Sequence, residues 1–124
     1  MNKILSVAAG GGMGAVARYL VQNWALGKWG AAFPYGTLLV NITGAFGIGF
    51  IMTLFLNHLH ISPSWRVFVV TGILGGYTTF SALAWETYAL FAKGDILHSL
   101  LYTGASFLGG MAALGLGVWL GNFI

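Results

Sequence analysis

The polar side chains that could do chemistry in this sequence are few, and they stand inside long apolar stretches. Asn41 follows Thr37 by four residues, so both side chains project from one face of a helix. An amide without a partner in hydrocarbon costs several kcal/mol, so Asn41 must meet a neighbouring helix or a wet cavity. The spacing leaves two roles open, a structural hydrogen bond and a place in a polar pathway.

The strongest signal is the segment GILGGYTTFS, which runs from Gly72 to Ser81. Paired glycines followed by two β-branched residues are poor helix formers, so the segment predicts a break in a helix. A break at membrane depth is tolerated where its freed backbone groups are buried in protein or line a cavity. Such a break offers carbonyl oxygens to a cation and amide groups to an anion. The alternative is a kinked, continuous helix that packs through its glycines.

A second set of polar groups lies near the end of the chain. Tyr102 and Ser106 are four residues apart, which predicts that their hydroxyls follow one stripe of a helix. A ladder of hydroxyl donors suits an anion that is losing its water. Each hydroxyl could equally bond a backbone carbonyl, and the spacing does not separate the two roles.

Charged residues at membrane depth are rarer still. Arg18 either extends to the lipid headgroups or attracts anions in a vestibule. Glu86 lies near a predicted helix end, where we expect a solvated carboxylate or one paired with an arginine. Asp95, three residues before His98, is predicted to cap a helix rather than to bind a metal.

The sequence offers no carrier for catalysis. There is no Ser/His/Asp set, no phosphate-binding loop and no pair of carboxylates, and the cysteine count of zero excludes thiol chemistry. His58 and His60 fall in a predicted loop and are expected to be solvated. We therefore predict that the protein is not an enzyme.

The elements that must position these residues are membrane helices. Of the 124 residues, 58% are hydrophobic and 6% are charged, whereas soluble domains carry about 25% charged residues. Residues 29–65, 67–85 and 96–124 are free of charge, and roughly 20 such residues span a bilayer. This composition excludes a soluble enzyme, a disordered tail and a nucleic-acid-binding module. It indicates an integral membrane protein.

The chain divides into four predicted helices at about residues 3–26, 34–57, 64–92 and 96–123. Ser62 and Pro63 supply an N-cap and a first-turn proline for the third helix. Gly94 is predicted to end that helix, and Asp95 to begin the fourth. The connections are short, so we predict one all-α domain over residues 1–124. Small residues at helical spacing predict close packing between its helices.

The basic residues give almost no signal for orientation. With four spans, Lys3 and Arg66 lie on one side of the membrane and Lys28 and Lys93 on the other, together with Arg18 if it extends that way. This balance leaves the positive-inside rule little to act on. It favours insertion in both orientations and an antiparallel homodimer with its twofold axis in the membrane plane. The alternative is a parallel dimer.

Three motifs in this order, GGMGAVARY at 11–19, GTLLVNITG at 36–44 and GILGGYTTFS at 72–81, resemble those of the Fluc (CrcB-type) fluoride channels. The resemblance covers essentially the whole chain. It implies a multi-pass protein of the cell inner membrane that exports fluoride passively and so confers resistance to it. It also implies a dual-topology antiparallel homodimer with two pores and a central sodium ion. The expected partners are a second copy, fluoride and membrane lipid, and no nucleic acid.

The resemblance also assigns roles to residues. Backbone carbonyls of Gly75 and Thr78 from both subunits would hold the sodium, and Arg18 would lie near the aqueous entrance of the pore. Phe80 would present its ring edge, the positive part of the aromatic quadrupole, to fluoride. The residues expected at the pore are Thr37, Asn41, Phe80, Ser81, Leu83, Tyr102 and Ser106.

The chain departs from the family pattern at three positions. Leu83 stands where a second pore phenylalanine is usual, and Ala82 replaces a residue that is often polar. Gly110 replaces the next hydroxyl after Ser106.

Two other functions are compatible with four short helices. A small dual-topology, proton-coupled exporter of organic cations would need a carboxylate deep in the membrane. The first helix has none, and Glu86, near a helix end, is the sole candidate. A non-transporting structural subunit would not need so many polar residues at membrane depth.

Overall fold

The computed structural model describes residues 2–57 and 60–124, and within those ranges it contains helices and no strand. Four helical spans are long and apolar enough to cross a membrane, so the chain is a multi-pass membrane protein. We label the helices α1 (Lys3–Trp29), α2 (Tyr35–Asn57), α3 (Pro63–Arg66), α4 (Gly75–Tyr77), α5 (Phe80–Ala92) and α6 (Ile96–Phe123). A π-helical segment, Val67–Leu74, joins α3 to α4. His58 lies outside the described residues.

The predicted helix ends are largely confirmed. The Ser62 side chain caps the third span, and Pro63 occupies its first turn. Gly94 adopts φ +89°, a left-handed conformation that glycine takes without strain, and the Asp95 side chain caps α6. The first helix is longer than the sequence predicted, because it continues to Trp29 before Gly30 ends it at φ +78°.

The third span is broken, as the sequence predicted. Thr78 (φ −86°, ψ 156°) and Thr79 (φ −150°, ψ 116°) are extended, so α4 ends and α5 begins anew after them. The alternative of a kinked, continuous helix is therefore wrong. The π-helical segment before the break was not predicted, because its residues resemble an ordinary apolar helix.

Helix α1 packs against the first half of the third span through glycines. A methyl group added to Gly76 would lie 2.6 Å from the carbonyl oxygen of Gly11. One added to Gly72 would lie 2.9 Å from the Cα of Gly10. The backbones of the two helices are thus in direct contact, which confirms the close packing predicted from small residues.

Helices α2 and α6 form the other extensive contact. A methyl group on Gly117 would lie 2.9 Å from the Phe50 amide nitrogen, so no larger residue fits there. At one end of this contact the Asn57 amide donates to the Asn122 side-chain oxygen at 2.6 Å. Helix α2 therefore lies between α6 and the third span, and its polar residues can reach both.

Much of the apolar surface faces outward. The buried hydrophobic cluster consists of Leu83, Leu90 and Tyr102, whereas many large apolar side chains on all four spans are exposed. Trp65 and Trp119, near span ends, are among the exposed residues, as expected for an aromatic belt. A single chain thus leaves an apolar surface for lipid or for another protein.

Candidate functional site

The Asn41 side chain joins α2 to the break in the third span. Its Oδ1 accepts a hydrogen bond from the Thr79 amide at 2.8 Å, and its Nδ2 donates to the Thr79 carbonyl at 3.0 Å. One side-chain amide therefore pairs with both backbone groups of one extended residue. This contact shows how the freed backbone of the break is satisfied at membrane depth.

The same bond leaves carbonyls of the third span without their helical partners. In a continuous helix the Thr79 amide would donate to the Gly75 carbonyl, but here it donates to Asn41. The Ala82 amide, the helical partner of the Thr78 carbonyl, instead donates to the Thr79 hydroxyl at 3.2 Å. The two residues that the family resemblance assigns to a cation are thus among those whose carbonyls the break releases.

Arg18 also reaches the break. Its Nε donates to the Gly76 carbonyl at 3.1 Å, and the side chain is half-buried. This bond uses only the Nε–H of the guanidinium, so contact with the headgroups, the other role open from the sequence, stays a prediction. A role near a pore entrance stays a prediction.

Thr37 has a partner that sequence reasoning missed. The Gln22 amide of α1 donates to the Thr37 hydroxyl at 3.1 Å, and Thr37 is buried. A glutamine about two turns before the end of an apolar helix resembles a surface residue. Only the contact between α1 and α2 reveals that Gln22 belongs to the polar set.

Tyr102 and Glu86 form a second polar contact. The fully buried Tyr102 donates its hydroxyl to the Glu86 carboxylate at 3.0 Å. Of the two expectations for Glu86, the solvated carboxylate agrees with its partial exposure in an open cavity. Among the described residues a tyrosine, and not an arginine, meets it, because α5 and α6 pack together there. The Phe33 ring, from the loop before α2, packs edge-on against Tyr102 with centroids 5.5 Å apart.

These two contacts border an open cavity of about 400 Å³ near one end of the molecule. Gln22, Thr37 and Glu86 line it together with Phe33 and Lys93. A cavity of this size holds water, and its lining includes one cationic and one acidic side chain, Lys93 and Glu86. We call this cavity the vestibule; the buried Thr37 hydroxyl belongs to its lining.

Ser106 differs from its neighbours on α6. Its hydroxyl is buried and has no hydrogen-bond partner among the described residues. The hydroxyl of Ser99, by contrast, donates to the Thr87 carbonyl at 2.9 Å. A buried hydroxyl without a partner costs free energy unless another group supplies one, so Ser106 is available for a ligand or a second chain.

Phe80, Ser81 and Leu83 occupy the start of α5. The Phe80 ring is 72% exposed, whereas Leu83 is buried. Both border a largely apolar groove of about 390 Å³ between α5 and α6. The Ser81 hydroxyl lies 3.4 Å from that of Thr79. The Phe80 ring therefore points away from its own chain.

The contact between Asp95 and His98 lies outside this set, at the start of α6. The Asp95 carboxylate accepts a hydrogen bond from the His98 backbone amide at 3.3 Å. It also lies 2.8 Å from Nδ1 of the His98 ring. The hydrogen bond from His98 lowers the pKa of the Asp95 carboxyl below its usual value. The prediction of a helix cap is confirmed.

Within residues 2–57 and 60–124, no three His, Cys, Asp or Glu residues could hold a metal together.

Four apolar spans, a central break bound by polar side chains, and a vestibule near one end of the molecule define a small membrane protein built for the passage of a polar solute. The family model for CrcB-like protein, Camphor Resistance (CrcB), matches residues 5–118. The chain belongs to this family.

Curated relatives agree with the family match. A protein from Roseiflexus sp. (strain RS-1) is 46% identical over 92% of this chain and 92% of its own length. One from Rhizobium meliloti (strain 1021) is 51% identical over 86% of this chain and 85% of its own. One from Chlorobium chlorochromatii (strain CaD3) is 50% identical over 93% and 88%. All three are named fluoride-specific ion channel FluC.

Proposed function

We propose that this chain forms a channel that lets fluoride leave the cell passively across the inner membrane, and so confers resistance to it. The relatives named as fluoride-specific ion channels support this function over a proton-coupled exporter of organic cations. Among features of the molecule, the strongest support is the row of buried polar groups on α2 and α6, reached from the vestibule. Such groups are costly in a membrane unless a polar solute uses them.

The pathway follows from the chemistry of these groups. An anion in hydrocarbon loses tens of kcal/mol of hydration free energy, which a pore offsets with hydrogen-bond donors. Lys93 and Gln22 lie at the vestibule, and the hydroxyls of Thr37 and Ser106 lie deeper. Tyr102 borders this path, but its one O–H is donated to Glu86 in this structure. Asn41 and Ser81 continue the path at the break, beside Leu83, and the exposed edge of the Phe80 ring offers its positive rim. Arg18, bound at the break, adds positive charge.

The functional unit in this proposal is an antiparallel homodimer with two pores. Two copies in opposite orientations agree with the balance of basic residues between the two sides. A second copy would cover the outward Phe80 ring and the apolar groove. Crosslinking that is sensitive to orientation tests this arrangement. Capture of parallel dimers alone would contradict it.

A sodium ion at the interface between the two copies completes the proposal. Gly75 is exposed and Thr78 half-buried, and both carbonyls have lost their helical partners. Carbonyl oxygens of an unwound segment are suitable ligands for Na⁺. These four oxygens, two from each copy, fit the ion without any carboxylate. The ion would supply a charge that holds the two breaks together.

A flux assay tests the function. We expect liposomes that contain the protein and potassium fluoride to release fluoride when a potassium ionophore is added, as measured with a fluoride electrode. Liposomes loaded with chloride should release none. Proton-dependent uptake of a lipophilic cation without fluoride efflux would contradict the proposal and favour the exporter.

A further inference from the structure

We propose that Asn41 is a positioning residue for the cation site, in addition to its place beside the pore. In a continuous helix the Thr79 amide would donate to the Gly75 carbonyl. Here it donates to the Asn41 side chain instead, which leaves the Gly75 carbonyl free for Na⁺. The inference rests on the proposed function, because it deepens the sodium site described there.

The contact between Asn41 and Thr79 resembles the pairing of two backbone peptide groups. A side-chain amide carries one carbonyl acceptor and an NH₂ donor, and Asn41 uses one of each on Thr79. Each backbone group of Thr79 is therefore satisfied from α2 and not from the third span. Because the NH₂ group has two hydrogens and Thr79 takes one, the second remains available to an anion.

Contacts of the next residues of α2 support the position of Asn41. Two residues further along the helix, the Thr43 hydroxyl lies 2.8 Å from the Tyr77 hydroxyl. A methyl group on Gly44 would collide with the Thr78 side chain and lie 3.3 Å from the Tyr77 ring. Helix α2 thus meets the break without room for movement, so the Asn41 amide stays aligned with Thr79.

The nearby carbonyls are not equivalent. Arg18 already binds the Gly76 carbonyl at 3.1 Å. Without the Asn41 amide, the Thr79 N–H would lack an acceptor, and buried N–H groups rarely stay unpaired. The Gly75 carbonyl is the acceptor that helix geometry offers to it. Forming that bond would lengthen α4 and remove a ligand from Na⁺.

The sequence provides a selective probe for this region. Thr78–Thr79 is the one Thr-Thr pair in the chain, so labelling threonine with ¹³C at the carbonyl and ¹⁵N at the amide gives one linked NMR signal. That signal reports the Thr78 carbonyl, a proposed sodium ligand, and the Thr79 amide, the proposed partner of Asn41. Purified protein would be titrated with sodium chloride at constant ionic strength.

Two substitutions separate positioning from a role in the pore alone. Asn41→Ala removes the acceptor for the Thr79 amide, and we expect the sodium concentration at half-saturation to rise about tenfold, as when a group that orients a metal ligand is lost. Asn41→Asp keeps an acceptor, so sodium should bind no more weakly than in the wild type. Asn57→Ala, which removes an amide of the same helix far from the break, is the matched control and should not shift the titration.

The outcomes are distinct. A sodium midpoint for folded Asn41→Ala within about twofold of the wild type, a change too small for a lost orienting group, would overturn the inference. An Asn41→Asp variant that binds sodium as weakly as Asn41→Ala would also overturn it. If the wild-type NMR signal does not change with sodium while fluoride efflux persists, the result contradicts the cation site and this inference. It leaves the proposed fluoride channel unaffected. Circular dichroism and fluoride efflux, measured in parallel, report folding and the proposed function separately.

Discussion

Helix α2 makes two contacts of opposite character. Toward α6 it packs through small residues, with Gly117 against Phe50, and a single amide pair at one end. Toward the break it presents Asn41 and Thr43, which bind backbone and hydroxyl groups. The difference follows from the backbone hydrogen bonding of each neighbouring helix. A regular helix satisfies its own backbone and offers only surface to pack against, whereas a broken one must find hydrogen bonds elsewhere.

Enlarging a glycine in the α2–α6 contact should have the largest effect on stability. In Gly117→Val the new side chain would meet the backbone of α2, so the helices would have to separate. Overpacking of this kind costs about 1–3 kcal/mol. We expect a lower thermal midpoint and less monodisperse protein in size-exclusion chromatography. Gly110→Val is the control, because a methyl group there meets nothing within 4 Å; equal losses in both variants would show that the α2–α6 contact is not tight.

Removing the Tyr102 hydroxyl tests the polar side of the comparison. Tyr102→Phe keeps the packing against Phe33 but leaves Glu86 without its donor. The Glu86 carboxylate would then be unpaired in the lining of the vestibule and would repel an anion there. Since about 1.4 kcal/mol in a barrier changes a rate tenfold, we expect fluoride efflux to fall by about tenfold or more. Efflux from liposomes measures this directly. An unchanged rate in the folded variant would exclude the hydroxyl from the pathway.

The smallest effect is expected from pH at the start of α6. The pKa of Asp95 is lowered in the folded protein by its hydrogen bond with His98. The stabilisation is therefore present above the unfolded pKa and is lost as pH falls through the folded pKa. We expect a slight fall in thermal midpoint on acidification below pH 3.8, the ordinary value. The Asp95→Asn variant should lack this part of the pH dependence; if it retains all of it, another group is responsible.

Most of the fold could be predicted because its causes are local. Charge-free runs define the spans, and Ser62, Pro63 and Gly94 define helix ends through backbone preferences that depend only on nearby residues. The break was predicted to within a ten-residue segment because paired glycines and threonines disfavour helix. Even so, sequence could not place it at Thr78 and Thr79, because Asn41, distant in the chain, selects the residue that leaves the helix.

The partners within the site could not be predicted for the same reason. Gln22 meets Thr37, and Arg18 meets Gly76, only because α1 has a particular rotation against its neighbours. Helix periodicity fixes which residues share a face but not which face turns toward which helix. The family resemblance pointed to Gly75 and Thr78, but sequence could not show that the Thr79 amide, the helical partner of the Gly75 carbonyl, is donated to Asn41.

One measurement tests most directly whether the break, and not the α2–α6 contact, carries the function. Fluoride efflux would be compared between two variants that each change one amide of α2, Asn41→Asp and Asn57→Ala. A carboxylate beside the path of an anion repels it by a few kcal/mol at an intermediate dielectric constant, so we expect efflux through Asn41→Asp to fall by about 100-fold or more. Efflux through Asn57→Ala should equal that of the wild type. Equal losses in both variants, or normal efflux through Asn41→Asp, would contradict this account.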